Sequence, residues 1–350
     1  QGKGRDTMAD STPFELQHCL LDESEILPML EGRRQKVGGR VMDPKAQVVA
    51  DFSNSVRVPP EAVPLPDLRK QLLTLVGLLD VPAPELHEIR DIRAPGGDGE
   101  IAARVYRPTA GKEKLPVLAF FHGGGWVQGD LDSHHGLCAR LALWSGAMVV
   151  SFDYRLAPEH PFPAGVEDCL AAYRWLRGNA GDLGGDPARV AVGGDSAGGN
   201  LSIVVSQQAA KAGETPPDFQ LLIYPATDFA MDTASHADFR EGAIIPRDRI
   251  LWYMKQYLTE ERAKADTRAS PIRMADLEGQ PPALVQTAGF DPLRDEARAY
   301  ADRLADAGVD VTYHEYPGQI HGFMMLAKAI PQGLVATREA ADYMRRQWSL

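Results

Sequence analysis

Cysteine is scarce in this chain: three in 350 residues, Cys19, Cys138 and Cys169, at no regular spacing. So irregular and odd a set excludes a disulfide framework and fits a reducing compartment, so a cytoplasmic location is expected. Cys138 and Cys169 sit among apolar residues and read as core thiols. Long hydrophobic runs are missing too. No stretch approaches the roughly 18 apolar residues that a helical membrane span requires. The polar stretch Gln1 to Thr7 lacks the apolar run of a signal peptide; Met8 reads as the native start, with residues 1–7 structurally silent. Basic residues are outnumbered, 37 against 48 acidic ones, for a net charge of −11. Such a surface repels nucleic acid and anionic membrane, so neither is expected as a partner, and solubility is its plainest use. Metal and nucleotide patterns are absent as well. No Cys-x-x-Cys occurs, His134-His135 lacks the i, i+4 spacing of a helical zinc pair, and no Gly-Lys-Ser/Thr follows Gly193-Gly194. No cofactor is expected.

What the chain does have is alternation. With 44% hydrophobic residues, 33 glycines and 26 prolines, it suits one large α/β domain with an appended piece and many tight strand–helix junctions. Residues 14–80 read as helical without a convincing strand; Leu68, Leu72, Val76 and Leu79 recur at helical spacing, with Pro66 suited to the first turn. Around Pro95-Gly96-Gly97-Asp98-Gly99, segments 86–93 and 100–107 form a predicted hairpin. Further strands are predicted at Val117–Phe121, Ala147–Phe152, Arg189–Val192, Leu221–Tyr224, Ala283–Thr287 and Val309–Tyr316, separated by amphipathic stretches. Apolar runs alternating with helices imply a mostly parallel eight-stranded sheet covered on both faces. The interval from Pro225 to Pro282 is too long for a crossover and carries a helical pattern at Ile250, Leu251, Met254, Tyr257 and Leu258. The expected division is therefore 8–80 and 225–282 as two parts of a helical cap, over a body of 81–224 and 283–350, with the site at the carboxyl ends of the strands.

Two glycine clusters carry chemistry. Gly194-Asp195-Ser196-Ala197-Gly198 follows a strand-like run and precedes a helical one, the context of a nucleophile elbow. His122-Gly123-Gly124-Gly125 also follows a strand, and its bare N–H groups suit an oxyanion. By chance Gly-x-Ser-x-Gly turns up in roughly one chain of this length in ten, so it is the pairing that points to a serine hydrolase. The best oxyanion donors are the backbone N–H groups of Gly124, Gly125 and Ala197. Ser196 needs a base, and of nine histidines only His321 lies in a loop just past the last predicted strand; His122 is too close to the oxyanion position and is expected to brace its loop. The orienting acid is expected at Asp291, after the strand that starts at Ala283, where Pro292 keeps it out of helical conformation. Asp228 is the alternative acid, and Asp295 is expected to offset a helix dipole. Trp126 and Phe323 adjoin these loops and are candidates for the acyl site; Trp252 and Phe14 are candidates from the cap.

With these residues in view the chain resembles the hormone-sensitive-lipase family of α/β-hydrolases, in particular its bacterial esterases with the Gly-Asp-Ser-Ala-Gly elbow. The resemblance runs from about residue 100 to 325 and includes His122–Trp126, Tyr154–Glu159, Gly194–Asn200, Asp291–Asp295 and His321-Gly322-Phe323. It implies an α/β-hydrolase fold, a triad of Ser196, Asp291 and His321, and short- to medium-chain acyl esters as small-molecule substrates, without a cofactor. Tyr154–Glu159 looks like the family's structural loop. His135 departs from the Asp that many similar sequences carry there, which implies altered bracing beneath the glycine loop. Plant gibberellin receptors resemble the same family but have lost a triad member; all three are present here. Amide hydrolysis by the same residues, and a homodimer, stay open.

Overall fold

The computed structural model describes residues 13–241 and 244–350; the reading of residues 1–7 and Met8 lies outside them. A 3₁₀ turn (Leu16–Leu20) is followed by α1 (Glu23–Met29), the short strands β1 (Lys36–Val37) and β2 (Arg40–Val41), α2 (Pro44–Ser55) and α3 (Leu65–Leu79). The β1–β2 ladder corrects the expectation that residues 14–80 hold no strand. Two residues per strand are too few to show alternation, and the turn rests on Gly38 and Gly39, both at positive φ. The main sheet's last strand (Val311–Ile320) anchors this ladder. Arg40 pairs with Glu315 at 2.5 Å, and the N–H of Asp43 donates to the Gly318 carbonyl at 2.8 Å.

The body then runs β3 (Glu88–Pro95), β4 (Glu100–Arg107), β5 (Leu115–Phe121), α4 (His135–Ser145), β6 (Met148–Asp153), α5 (Ala164–Asn179), β7 (Gly185–Asp195), α6 (Ala197–Lys211) and β8 (Gln220–Ile223). After α7 (Ala234–Asp238) and α8 (Arg247–Tyr257) come β9 (Ala283–Phe290), α9 (Arg294–Asp306), β10 (the Val311–Ile320 strand) and α10 (Gln332–Trp348). Eight strands form one sheet in the order β10-β9-β8-β7-β5-β6-β4-β3. The β3–β4 and β4–β6 pairs are antiparallel and the other five parallel.

Burial follows from this layering. Val117, Ala119 and Phe121 of β5 pack with α5 and α6 on one face, whereas Leu118 and Phe120 join α4 and α10 on the other. All eight residues of β9 are buried, which is why the central strands read as continuous apolar runs rather than alternating ones. At the edge, β3 alternates between exposed and partly buried positions. Because β5, β7, β8, β9 and β10 are parallel, their carboxyl ends share one rim of the sheet, and the loops that follow them meet there.

Candidate functional site

The elbow is built by close approach of main chains. Ser196 sits between β7 and α6 at φ 54°, ψ −116°, outside the allowed basins of ordinary L residues. A side chain at Gly198 would place its Cβ 1.8 Å from the Phe121 carbonyl oxygen, and one at Gly194 would place it 2.3 Å from the same atom. Both contacts are with backbone, which cannot rotate away, so the turn demands glycine. The turn is pinned by the Ser196 N–H donating to the Ile223 carbonyl at 2.8 Å. Asn200 ties α6 to the inserted segment through the carbonyls of Ala226 and Ala269. The first turn of α6 holds no acidic residue, so the positive end of its dipole is left facing Ser196.

The structure brings the three predicted side chains together from residues 95 and 30 positions apart in sequence order (196 to 291, 291 to 321). His321 Nε2 lies 2.9 Å from Ser196 Oγ, and His321 Nδ1 lies 2.6 Å from Asp291 Oδ2. Asp291 is fully buried; its other oxygen accepts the Leu293 N–H at 2.9 Å. The imidazole packs against the Tyr224 ring, centroids 4.8 Å apart. Asp228, the alternative acid, is engaged elsewhere: its carboxylate pairs with Arg273 at 3.0 Å. Asp295 lies in the first turn of α9 and accepts the Ser235 N–H.

The glycine loop is held from beneath. Tyr154 donates its hydroxyl to the His122 carbonyl at 2.7 Å and stacks on the His122 ring. His122 Nδ1 lies 2.8 Å from the Gly123 carbonyl, so this histidine braces the loop. Sequence reasoning missed the deeper support. Buried Asp195 accepts the Gly123 N–H at 2.8 Å and lies 3.1 Å from His134 Nε2, whose other nitrogen meets Ser133 Oγ at 3.0 Å. The elbow's own second residue thus bridges elbow and glycine loop. His135 does not lie beneath the loop as its position implied; it packs against Tyr106. Among the described residues, the N–H groups of Gly124 and Gly125 have no acceptor within the protein, and both glycines face the same cavity as Ser196 and His321.

Burial pushes the Asp195 carboxyl up, but His134 and the Gly123 N–H outweigh it and hold the group below the usual carboxylate range. A folded-state value depressed below the unfolded one (about 3.9) means stabilisation that is complete at neutral pH and is lost as pH falls through the folded value. Asp195→Asn is therefore expected to destabilise by roughly 3 kcal/mol at pH 7, with the Tm gap to the parent narrowing at about pH 3.5. An equal gap at both pH values would contradict the assignment.

The cavity has a volume of about 620 Å³. Its apolar wall comes from Leu16, Phe52, Val56, Leu72 and Leu75 on one side and Trp126, Phe229, Met231 and Ile250 on the other. Trp126 faces it while stacking on Tyr257 at 4.7 Å. The other three aromatic candidates do not line it. Phe323 is fully buried against Tyr224 and Tyr316, Trp252 packs edge-on to Tyr253, and Phe14 lies under Arg33 in the core. Each is a large apolar side chain whose helical or loop position turns it inward, something proximity in sequence does not reveal. Among the described residues, no group of three or more His, Cys, Asp or Glu side chains could hold a metal ion, and no helix is long and apolar enough to cross a membrane.

Sheet order, elbow and loop define an α/β-hydrolase. A profile for the alpha/beta hydrolase fold matches residues 118–325, and the chain belongs to that family, in its hormone-sensitive-lipase branch of esterases. It is 41% identical over 326 residues to the carboxylic ester hydrolase LipN of Mycobacterium tuberculosis, covering 91% of this chain and 86% of that protein. Carboxylesterase NlhH of the same species is 42% identical over 275 residues, 77% of this chain and 86% of its own. Among solved structures, the ester-hydrolase EH1AB1 from the metagenome of Lake Arreo superimposes with a TM-score of 0.85 at 43% identity, covering 88% of this chain and all of that one. The esterase of the archaeon Pyrobaculum calidifontis gives 0.82 at 39%, over 88% and 99%.

Proposed function

We propose that this carboxylic ester hydrolase cleaves short- to medium-chain acyl esters of small molecules through Ser196, His321 and Asp291, by way of an acyl-enzyme. His321 Nε2 takes the proton of Ser196 Oγ as the oxygen attacks the ester carbonyl. The N–H groups of Gly124, Gly125 and Ala197 bind the resulting oxyanion. The imidazolium, steadied by Asp291, hands its proton to the departing alkoxide, leaving the acyl group on Ser196. Water then loses a proton to the same imidazole and attacks the acyl carbon, and collapse releases the acid and restores the serine. No step in this sequence calls for a metal or organic cofactor. The reading rests on the continuous contact from Ser196 Oγ through His321 to Asp291, at 2.9 and 2.6 Å, beside unpaired backbone donors.

Segments 8–80 and 225–282 serve in this reading as two parts of one cap, since side chains of both wall the cavity around Ser196. A cavity of about 620 Å³ with apolar walls accepts an acyl chain of several carbons and turns away very long ones. Hydrolysis of p-nitrophenyl esters from acetate to laurate is expected to peak in kcat/KM between four and eight carbons, as a rough guide from that volume. The matched butyryl anilide is expected to turn over at least about a hundredfold more slowly, for want of a good leaving group. Equal rates on ester and anilide would favour an amidase, and a rate still rising at laurate would contradict the short-chain assignment.

A further inference from the structure

We propose that Arg69, Gln128 and Tyr253 are positioning residues for the oxyanion loop, so that α3 and α8, one helix from each flanking segment, jointly fix where Gly124 and Gly125 present their N–H groups. The inference rests on the reading of that loop as the oxyanion site. The inner end of the loop is held by Tyr154, Asp195 and His134, but its outer turn, Gly125 to Gln128, has no strand beside it. Its internal support is local, with the N–H groups of Val127 and Gln128 both donating to the Gly124 carbonyl. Such a turn can shift as a unit unless something outside it holds it.

Two contacts do so. From α3, Arg69 Nε donates to the Val127 carbonyl at 2.8 Å, and its terminal nitrogen donates to the Ala157 carbonyl at 3.1 Å. The same guanidinium forks onto both oxygens of Glu159 at 2.8 Å. A partly exposed ion pair contributes little stability of its own. It does orient the planar guanidinium so that Nε stays on the loop carbonyl, which a lysine could not do. The second contact is the Gln128 side chain, nearly buried and engaged at both ends. Its Nε2 donates to the Leu68 carbonyl of α3 at 2.6 Å, and its Oε1 accepts the Tyr253 hydroxyl of α8 at 2.5 Å. The Tyr253 ring in turn lies flat on Gly125: a Cβ there would fall 2.4 Å from the ring. The hydroxyl bond thus aims a ring that presses directly on one of the two oxyanion glycines.

The far end of α3 is equally fixed. Asp80 pairs with buried Arg140 at 2.9 Å and accepts the Ala327 N–H, and the Leu79 carbonyl accepts the N–H groups of Lys328 and Ala329. Helix α3 therefore spans from the glycine loop to the segment that follows His321. A rigid strut between these two places sets their separation, and catalysis depends on that separation, because a misplacement of about 1 Å can cost on the order of a hundredfold in rate.

The test uses Tyr253→Phe, Gln128→Leu and Arg69→Ala in the full chain, read by p-nitrophenyl butyrate kinetics and by the bimolecular rate of inactivation by paraoxon, whose phosphoryl oxygen needs the same donors. Tyr253→Phe keeps the ring and removes only the hydroxyl. Expected are a kcat loss of about fivefold for Tyr253→Phe and Gln128→Leu and of about thirtyfold for Arg69→Ala, with KM within about twofold and paraoxon inactivation slowed by matching factors. Arg69→Lys is expected to recover little. Should Arg69→Ala not fold, the other two decide. Variants that fold and keep kcat and paraoxon rates within about twofold of the parent, whatever their Tm, would overturn the proposal, as would a change confined to KM. A parent enzyme that paraoxon leaves unmodified at Ser196 would overturn the triad reading itself; a parent modified there, with variants reacting at parental rate, overturns this inference alone.

Discussion

Ser196→Ala is expected to lower kcat on p-nitrophenyl butyrate by about 10⁴-fold or more, with Tm within a few degrees of the parent. The size follows from the mechanism: without Oγ no acyl-enzyme forms, and what remains is water attacking an ester held beside the oxyanion donors. Retention of the fold follows from the local structure. The strain at Ser196, φ 54°, belongs to the backbone and is held by Gly194, Gly198 and the bond to the Ile223 carbonyl, none of which alanine disturbs. His321→Ala should cost as much, and the double variant no more than either alone, since the two side chains perform one proton transfer. Turnover above about 1% in a folded Ser196→Ala protein would place the nucleophile elsewhere.

How much of this was legible depended on whether a feature was local in sequence. The central strands of the main sheet were visible because their apolar runs are continuous, and β3 and β4 because a glycine-rich turn separates them; the strand with the largest error shows the limit of such patterns. Strand β7 was read as Arg189–Val192 but extends from Gly185 to Asp195. Its end, Gly193-Gly194-Asp195, carries no apolar side chain: a Cβ at Gly193 would meet Leu221 and Leu118, one at Gly194 the Phe121 carbonyl and Gly198, and Asp195 turns its carboxylate to the glycine loop; yet it keeps the ladder. The meeting of Ser196, Asp291 and His321 could be anticipated because parallel strands put successive loops on one rim, where three side chains each just past a strand end converge. What escaped were contacts between polar groups far apart in the chain. Asp195 and His134 are 61 positions apart (195 minus 134), and neither periodicity nor a motif links them. Arg69 on Val127 and Tyr253 on Gln128 are of the same kind. Three of the four aromatic candidates do not line the cavity, for the converse reason. Phe323 is two residues from His321, but the intervening Gly322 at φ 78° turns the chain so that the phenyl ring faces the core.

Gly124→Ala is expected to reduce kcat by about 10² to 10³-fold, the usual worth of one oxyanion donor, while KM changes little. Gly124 adopts φ 118°, a conformation open to glycine and closed to alanine, and its Cβ would lie 2.2 Å from the Gln128 carbonyl oxygen. Since that obstacle is backbone of the same tight turn, relief requires the loop itself to move, and the N–H groups of Gly124 and Gly125 move with it. Gly125→Ala makes the instructive contrast. Its φ of 62° is one that alanine can adopt at modest cost, and its obstacle is the Tyr253 ring, the side chain of a helix above the cavity. That clash can be relieved by displacing α8 instead of the loop, so the Gly125 variant should lose less in kcat and more in substrate affinity. Truncating Tyr253 to alanine should restore part of the affinity lost in Gly125→Ala and none of the rate lost in Gly124→Ala. Steady-state kinetics on the four variants decide the matter: equal kcat losses at the two glycines, or rescue of both by the same truncation, would mean that the loop does not hold the oxyanion through Gly124 in the way described.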